Sequence, residues 1–216
     1  MRTATWIGRG MAALALVGLG AATTLALQPD DQSLQAPPSM PDLSKLSKKE
    51  IAEMMEASGR PTEAHERLAF MVGKSEIDVK MTMPGVPELT AQAVGEGEWA
   101  LGKRFVITRS KPAPGEEMRT ESMNIFGYDT RKNEYFWIGL DTLGTYFVAS
   151  YGQFDEATKT FTLIGEETHE GIGKVRHRML ITDNGDGTST SAIEFELVPG
   201  SNQWSRMAEL KTRLVK

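Results

Sequence analysis

The chain has 216 residues, of which 24 are basic, 29 acidic and none cysteine, and its net charge is −5. Its length holds one large or two small domains. The lack of cysteine excludes disulfides, thiolate metal sites, a cysteine nucleophile and a lipoprotein's modified cysteine, and the acidic balance disfavours nucleic acid or anionic lipid as a partner.

Residues 1–27 carry Arg2 and Arg9, no acidic side chain, and an apolar stretch over 11–27 built mostly of Ala, Leu, Val, Gly and Thr. This is the pattern of a secretory signal peptide. Gly20 with Ala22, or Thr24 with Ala26, supplies the small residues that cleavage requires, so the cut is expected after Ala22 or Ala26. An uncleaved anchor is the rival reading, because the apolar stretch is close to the lower limit for spanning a bilayer. The expectation is an exported protein, periplasmic or extracellular and not a lipoprotein. Without Arg2 and Arg9, 22 basic residues face 29 acidic ones, a net charge of −7.

Residues 28–46 read as a flexible linker: QPDDQSLQAPPSMPD offers almost nothing to bury, so ordering it would cost entropy without return. Ser47 with Glu50 three residues later forms a capping box, which predicts a helix over 47–60 with Ile51, Met54 and Met55 on one face. Gly59 and Pro61 end it, and Thr62 caps a second short helix carrying Ala64, His65, Leu68 and Ala69.

After Gly73 the hydrophobic period changes to two: Ile77, Val79, Met81 and Met83 alternate with Asp78, Lys80 and Thr82. Further strands are predicted at 90–99, 103–109, 118–128, 134–140, 145–151, 160–165, 174–182, 188–197 and 203–214, about ten in all. The turns between them are short and rich in Asp, Asn and Gly, which favours antiparallel hairpins over parallel crossovers. An echo supports this: Tyr128, Asp129 and Tyr135 repeat the spacing of Phe154, Asp155 and Phe161. A sandwich or a closed barrel accommodates such strands. We favour a single antiparallel up-and-down barrel over 61–216, since closure removes exposed edges.

The order of motifs resembles domain of unknown function family 1579 over 61–216. The resemblance rests on His65, Leu68 and Gly73 in HERLAFMVG, on Gly102, Arg104 and Phe105 in LGKRF, and on FGYD at 126–129. Asp141, Gly144 and Thr145 in DTLGT and the run YGQFDEATKTFTLIG from Tyr151 complete it. The family is similar in layout to the lipocalin and fatty-acid-binding barrels, which implies a closed barrel able to hold a small apolar molecule. The chain departs from the family pattern at Ser75, where a Trp is usual, and at Lys103, where a glycine is common.

The three histidines, His65, His169 and His177, form no local metal motif, and the signatures of common hydrolases, nucleotide-binding folds and zinc peptidases are absent, so no cofactor, metal or catalytic residue is assigned. DNGDG at 183–187 fails as a calcium loop, because Gly185 and Gly187 occupy ligand positions; Asn184 and Gly185 are instead expected to supply a hairpin's positive φ angles.

His177 shares a face with Val175, Met179 and Ile181, where it meets either a neighbouring strand's side chain or a ligand. Tyr135 and Trp137 take one face of a strand whose other face, Phe136, Ile138 and Leu140, is also apolar, so that the first helix is a candidate lid or plug. Trp99 follows Ala91, Ala93, Gly95 and Gly97 on a face of small side chains, which admits close packing or leaves interior room. Arg104, alternating with Val106 and Thr108, is placed to hold a carboxylate head group or to pair with an acid such as Asp141. The candidate ligand-binding set is thus Trp99, Arg104, Tyr135, Trp137 and His177, and the expected partner is a small hydrophobic or amphipathic molecule. The alternatives are a ligand-free structural or interaction protein of the cell envelope and an enzyme using His65 or His177 with a carboxylate.

Overall fold

The computed structural model of the protein describes residues 46–169 and 173–215. The expected signal segment, nearly all of the linker, the turn after His169 and the His169 side chain lie outside the described residues.

Helix α1, Lys48–Ser58, opens on the predicted capping box: the Glu50 amide donates to Ser47 Oγ at 3.3 Å and the Ser47 amide to Glu50 Oε2 at 2.7 Å. None of its residues is buried, and the helix belongs to a different unit from the one that holds the barrel. The apolar face of Ile51, Met54 and Met55, expected as a lid, is therefore described only as one side of an exposed helix.

The barrel unit begins with helix α2, Glu63–Glu66, and a single 3-10 turn, Ala69–Met71. Ten strands follow among the described residues: β1 Gly73–Met81, β2 Leu89–Ala100, β3 Phe105–Pro112, β4 Ser122–Asp129, β5 Glu134–Asp141, β6 Val148–Asp155, β7 Thr160–His169, β8 Gly173–Asp183, β9 Thr188–Glu196 and β10 Trp204–Val215. Each pairs antiparallel with its sequence neighbours, and β1 pairs with β10 to close the barrel. The expected up-and-down barrel is the observed fold.

Alternation along each strand decides what faces inward. In β5, Tyr135, Trp137 and Gly139 point inside while Phe136 and Ile138 point out, and the register sets Trp137 between Phe126 of β4 and Ser150 of β6. In β1, Ser75 and Ile77 are inside, and Glu76 and Asp78 outside. Strand ends moved where turn chemistry outweighed hydropathy. The strand expected over 145–151 runs instead as β6 from Val148 to Asp155, since Gln153 and Phe154 pair with Thr162 and Phe161 before the turn.

In the DNGDG hairpin the positive φ angles fall on Gly185 (78°) and Gly187 (83°), not on Asn184. Asn184 acts through its side chain, donating from Nδ2 to Thr188 Oγ1 at 2.9 Å, and Asp183 Oδ1 accepts the Gly185 amide at 2.9 Å.

Candidate functional site

One part of the barrel interior is filled by a plug made from the chain that precedes β1. Thr62 begins α2, and His65 takes the place of the Glu or Gln of a capping box: its Nδ1 accepts the Thr62 amide at 3.0 Å. His65 is 5% exposed, and its ring meets Tyr128 edge-on with centroids 5.8 Å apart. Burial lowers its pKa, and the charge of Arg104 adds to that, so the neutral imidazole is the folded form.

Beside it, Tyr135 Oη donates to the Ala64 carbonyl at 3.0 Å and accepts from Arg67 Nη1 at 3.3 Å. Leu68 is 1% exposed, and Phe70 stacks on Phe161. The 3-10 turn lies directly on β2 at Gly97, where a Cβ would sit 1.9 Å from the Met71 carbonyl oxygen. Only glycine admits that approach.

The two echoing hairpins meet here. Tyr128 and Tyr135 from one, and Phe154 and Phe161 from the other, form a single aromatic cluster. Centroids are 4.8 Å apart for Tyr128–Tyr135, 4.8 Å for Tyr135–Phe161 and 4.5 Å for Phe154–Phe161.

The rest of the interior encloses a cavity of about 490 Å³. Phe126, Trp137, Met179, Ile181 and Ile193 give it an apolar wall, with Phe70 and Met71 of the plug adjoining. Two groups of polar side chains complete the lining. In β3 and β4 the polar atoms satisfy one another: Ser110 Oγ lies 2.8 Å from Ser122 Oγ, Asn124 Nδ2 donates to Thr108 Oγ1 at 3.2 Å, and Trp137 Nε1 donates to Asn124 Oδ1 at 2.9 Å. In β1, β9 and β10, Ser75, Ser189, Ser191 and Thr212 line the same cavity.

Four charged residues border the cavity: Asp141 and Asp183 on inward positions, and Glu96 and Arg109 on outward ones. Arg109 is engaged by Glu98, Nη1 to Oε1 at 2.7 Å, and Asp141 Oδ1 accepts the Leu143 amide at 2.8 Å.

Of the five candidate residues, Trp137 lines the cavity. Tyr135 belongs to the plug, where its hydroxyl is used within the protein. Trp99 packs against the core on the same inward face, with Lys103 Nζ 5.9 Å from its ring centre.

His177 is 4% exposed, with Nε2 2.8 Å from Ser150 Oγ. This is the strand-to-strand contact expected for a core histidine, except that Ser150 lies on β6, beyond β7. The ring crosses at Gly165, where a Cβ would sit 2.3 Å from the imidazole.

Arg104 does not join the others. It precedes β3, and its Nη1 donates to the carbonyls of Leu101 (2.9 Å) and Gly102 (3.4 Å), not to Asp141. The cause is local: Leu101, Gly102 and Lys103 are three successive residues at positive φ, which tighten the turn and remove Arg104 from the strand alternation.

The sequence reading passed over the hydroxyls of β1, β9 and β10. Their signal was parity: counting back by two from Ile193 and Phe195 in β9 reaches Ser191 and Ser189.

Comparison with solved structures finds the crystal structure of Rv2717c from M. tuberculosis at a TM-score of 0.52 and 8% identity, covering 73% of this chain and all of that one. At that identity the likeness is one of fold alone. No curated protein matches. The model of the family described as protein of unknown function (DUF1579) matches residues 60–213, which include the plug and nearly the whole barrel. The chain belongs to the DUF1579 family.

Proposed function

We propose that the protein is an exported binding module whose barrel interior takes up a small apolar or amphipathic molecule in the periplasm or outside the cell. The observation that carries this reading is the division of the interior. The plug and its aromatics fill one part, while small residues such as Gly95, Ser110 and Ser191 leave about 490 Å³ against an apolar wall. That volume falls within the roughly 300–1,000 Å³ of small-molecule sites, which are mostly apolar with a few placed polar groups. Export is supported by the basic, then apolar, residues of 1–27.

A second reading, a structural or interaction protein of the cell envelope, is favoured by one observation: Leu143 (64%), Phe147 (62%) and Tyr151 (46%) are large apolar side chains left exposed.

Native mass spectrometry of the protein purified gently from its own host, with the denatured mass alongside, tests the choice. The binding reading expects a small molecule that co-purifies and is lost on denaturation. A bare monomer mass counts against that reading, and a larger assembly favours the second.

A further inference from the structure

We infer that the ligand is an uncharged amphiphile bearing hydroxyl or carbonyl oxygens, such as a monoacylglycerol, and not an anionic lipid such as a free fatty acid. The inference rests on the binding reading above and deepens it.

Charge in the cavity supports the first half. A carboxylate taken out of water needs a cation or several donors directed at it. Arg109 and Glu96 alternate with the inward Thr108, Ser110, Gly95 and Gly97, so their charges lie on the outer face, where Arg109 is held by Glu98, while Asp141 and Asp183 are the two acids on inward positions. Arg104, the other candidate for an acid head group, bonds to turn carbonyls instead. An anion inside the cavity would thus meet no basic side chain and repulsion from two carboxylates.

Hydrogen bonding supports the second half. The polar atoms of Ser110, Ser122, Thr108 and Asn124 are already paired within the protein. Ser75, Ser189, Ser191 and Thr212 also line the cavity, yet among the described residues none of their hydroxyls makes a hydrogen bond to the protein, and Ser75 is only 9% exposed. Buried polar groups find partners, and each of these hydroxyls can both donate and accept.

They form a diagonal row across three strands. Thr212 of β10 pairs in register with Ser189 of β9 on one side and Ile77 of β1 on the other, with Ser191 two residues along β9 in one direction and Ser75 two residues along β1 in the other. A molecule with an apolar body on Trp137, Ile181 and Ile193 presents its oxygens to this patch. A hydroxylated neutral head group suits it, because its oxygens also both donate and accept.

Three uncharged or charged probes of matched chain length, monodecanoylglycerol, decanoate and decyltrimethylammonium, are titrated at neutral pH as competitors of the uncharged fluorophore N-phenyl-1-naphthylamine. The expected result is that monodecanoylglycerol displaces the fluorophore at least tenfold better than decanoate. The double variant Ser191→Ala with Thr212→Val, which removes two hydroxyls with little change in volume, is expected to lower affinity for the monoglyceride relative to that for the fluorophore at least tenfold. A thermal melt like that of the wild type shows that the variant is folded. Decanoate binding as tightly as the monoglyceride, or a variant that binds both probes as the wild type does, overturns the inference while leaving the binding reading intact. Failure of the wild-type protein to bind the fluorophore overturns both.

Discussion

Gly97 and Gly95 lie two residues apart on the same inward face of β2, yet they meet different surroundings. A side chain at Gly97 would run into the Met71 carbonyl at 1.9 Å, a backbone atom that moves only if the plug moves. One at Gly95 would meet first the ends of side chains, Ser75 Oγ at 2.8 Å and Ile77 Cδ1 at 3.1 Å, and a backbone atom, the Arg109 carbonyl, only at 3.3 Å. Gly97→Ala is therefore expected to cost about 1–3 kcal/mol, towards the upper end, by overpacking. Gly95→Ala is expected to cost less, and thermal melting of the two variants checks the order; equal losses would mean that the plug is not seated on β2.

The small-residue face of β2 was visible in the sequence, but its two uses were not. Alternation says that a glycine faces inward, and only tertiary structure says whether another backbone or a cavity lies opposite. The same limit explains Arg104. Its charge invited a ligand role, but three consecutive positive-φ residues before it place the guanidinium on the turn.

At the scale of elements, the plug is the feature from which most of the family motif follows. In HERLAFMVG, His65 caps α2, Arg67 bonds Tyr135 and pairs with Glu156 at 2.5 Å, Leu68 is fully buried, and Met71 lies on Gly97. FGYD and the YGQFDEATKTF run supply the aromatics beneath it. Strand count, antiparallel pairing and inward parity were legible because period-two alternation and Asp-led turns are local signals. The convergence of two hairpins on one plug joins residues about 70 apart in the chain, as in the bond from Tyr135 to Ala64, and no local pattern encodes it.

The buried neutral His65 gives the barrel a pH signature. Because its folded pKa is lowered, the unfolded chain binds the extra proton. Its contribution is complete above the unfolded pKa of about 6.5 and is lost as the pH falls from there towards the folded pKa.

Glu194 behaves separately. Burial alone would raise its pKa, but hydrogen bonds and charge from Arg178 and Arg206 outweigh that and lower it, so its contribution is lost only below about 4.3, the unfolded value. His65→Gln keeps a cap acceptor at the third helical position and removes the titration. It is expected to flatten stability against pH just below about 6.5 and to leave the acid limb near 4 in place, as measured by denaturant unfolding across pH. An unchanged slope below 6.5 would contradict the neutral, capping role.

For the whole molecule, closure and occupancy are separate questions. Ten strands in up-and-down order close the barrel whatever lies within it, and the sequence carried that much through turn spacing and alternation. The interior volume was not legible, because it depends on which inward positions are small at the same level of the barrel. Serines of β1, β3, β4 and β9 come together there from across the chain.

The central claim, that this space is a binding site, is tested most directly by titrating N-phenyl-1-naphthylamine into the wild-type protein and into Ser191→Phe, which puts a bulky ring into the cavity, with energy transfer from tryptophan as the readout and thermal melting as the control for folding. The account predicts saturable one-to-one binding to the wild type and at least a tenfold loss in Ser191→Phe with folding retained. Absent or non-saturable binding to the wild type, or equal binding by both folded proteins, would contradict it.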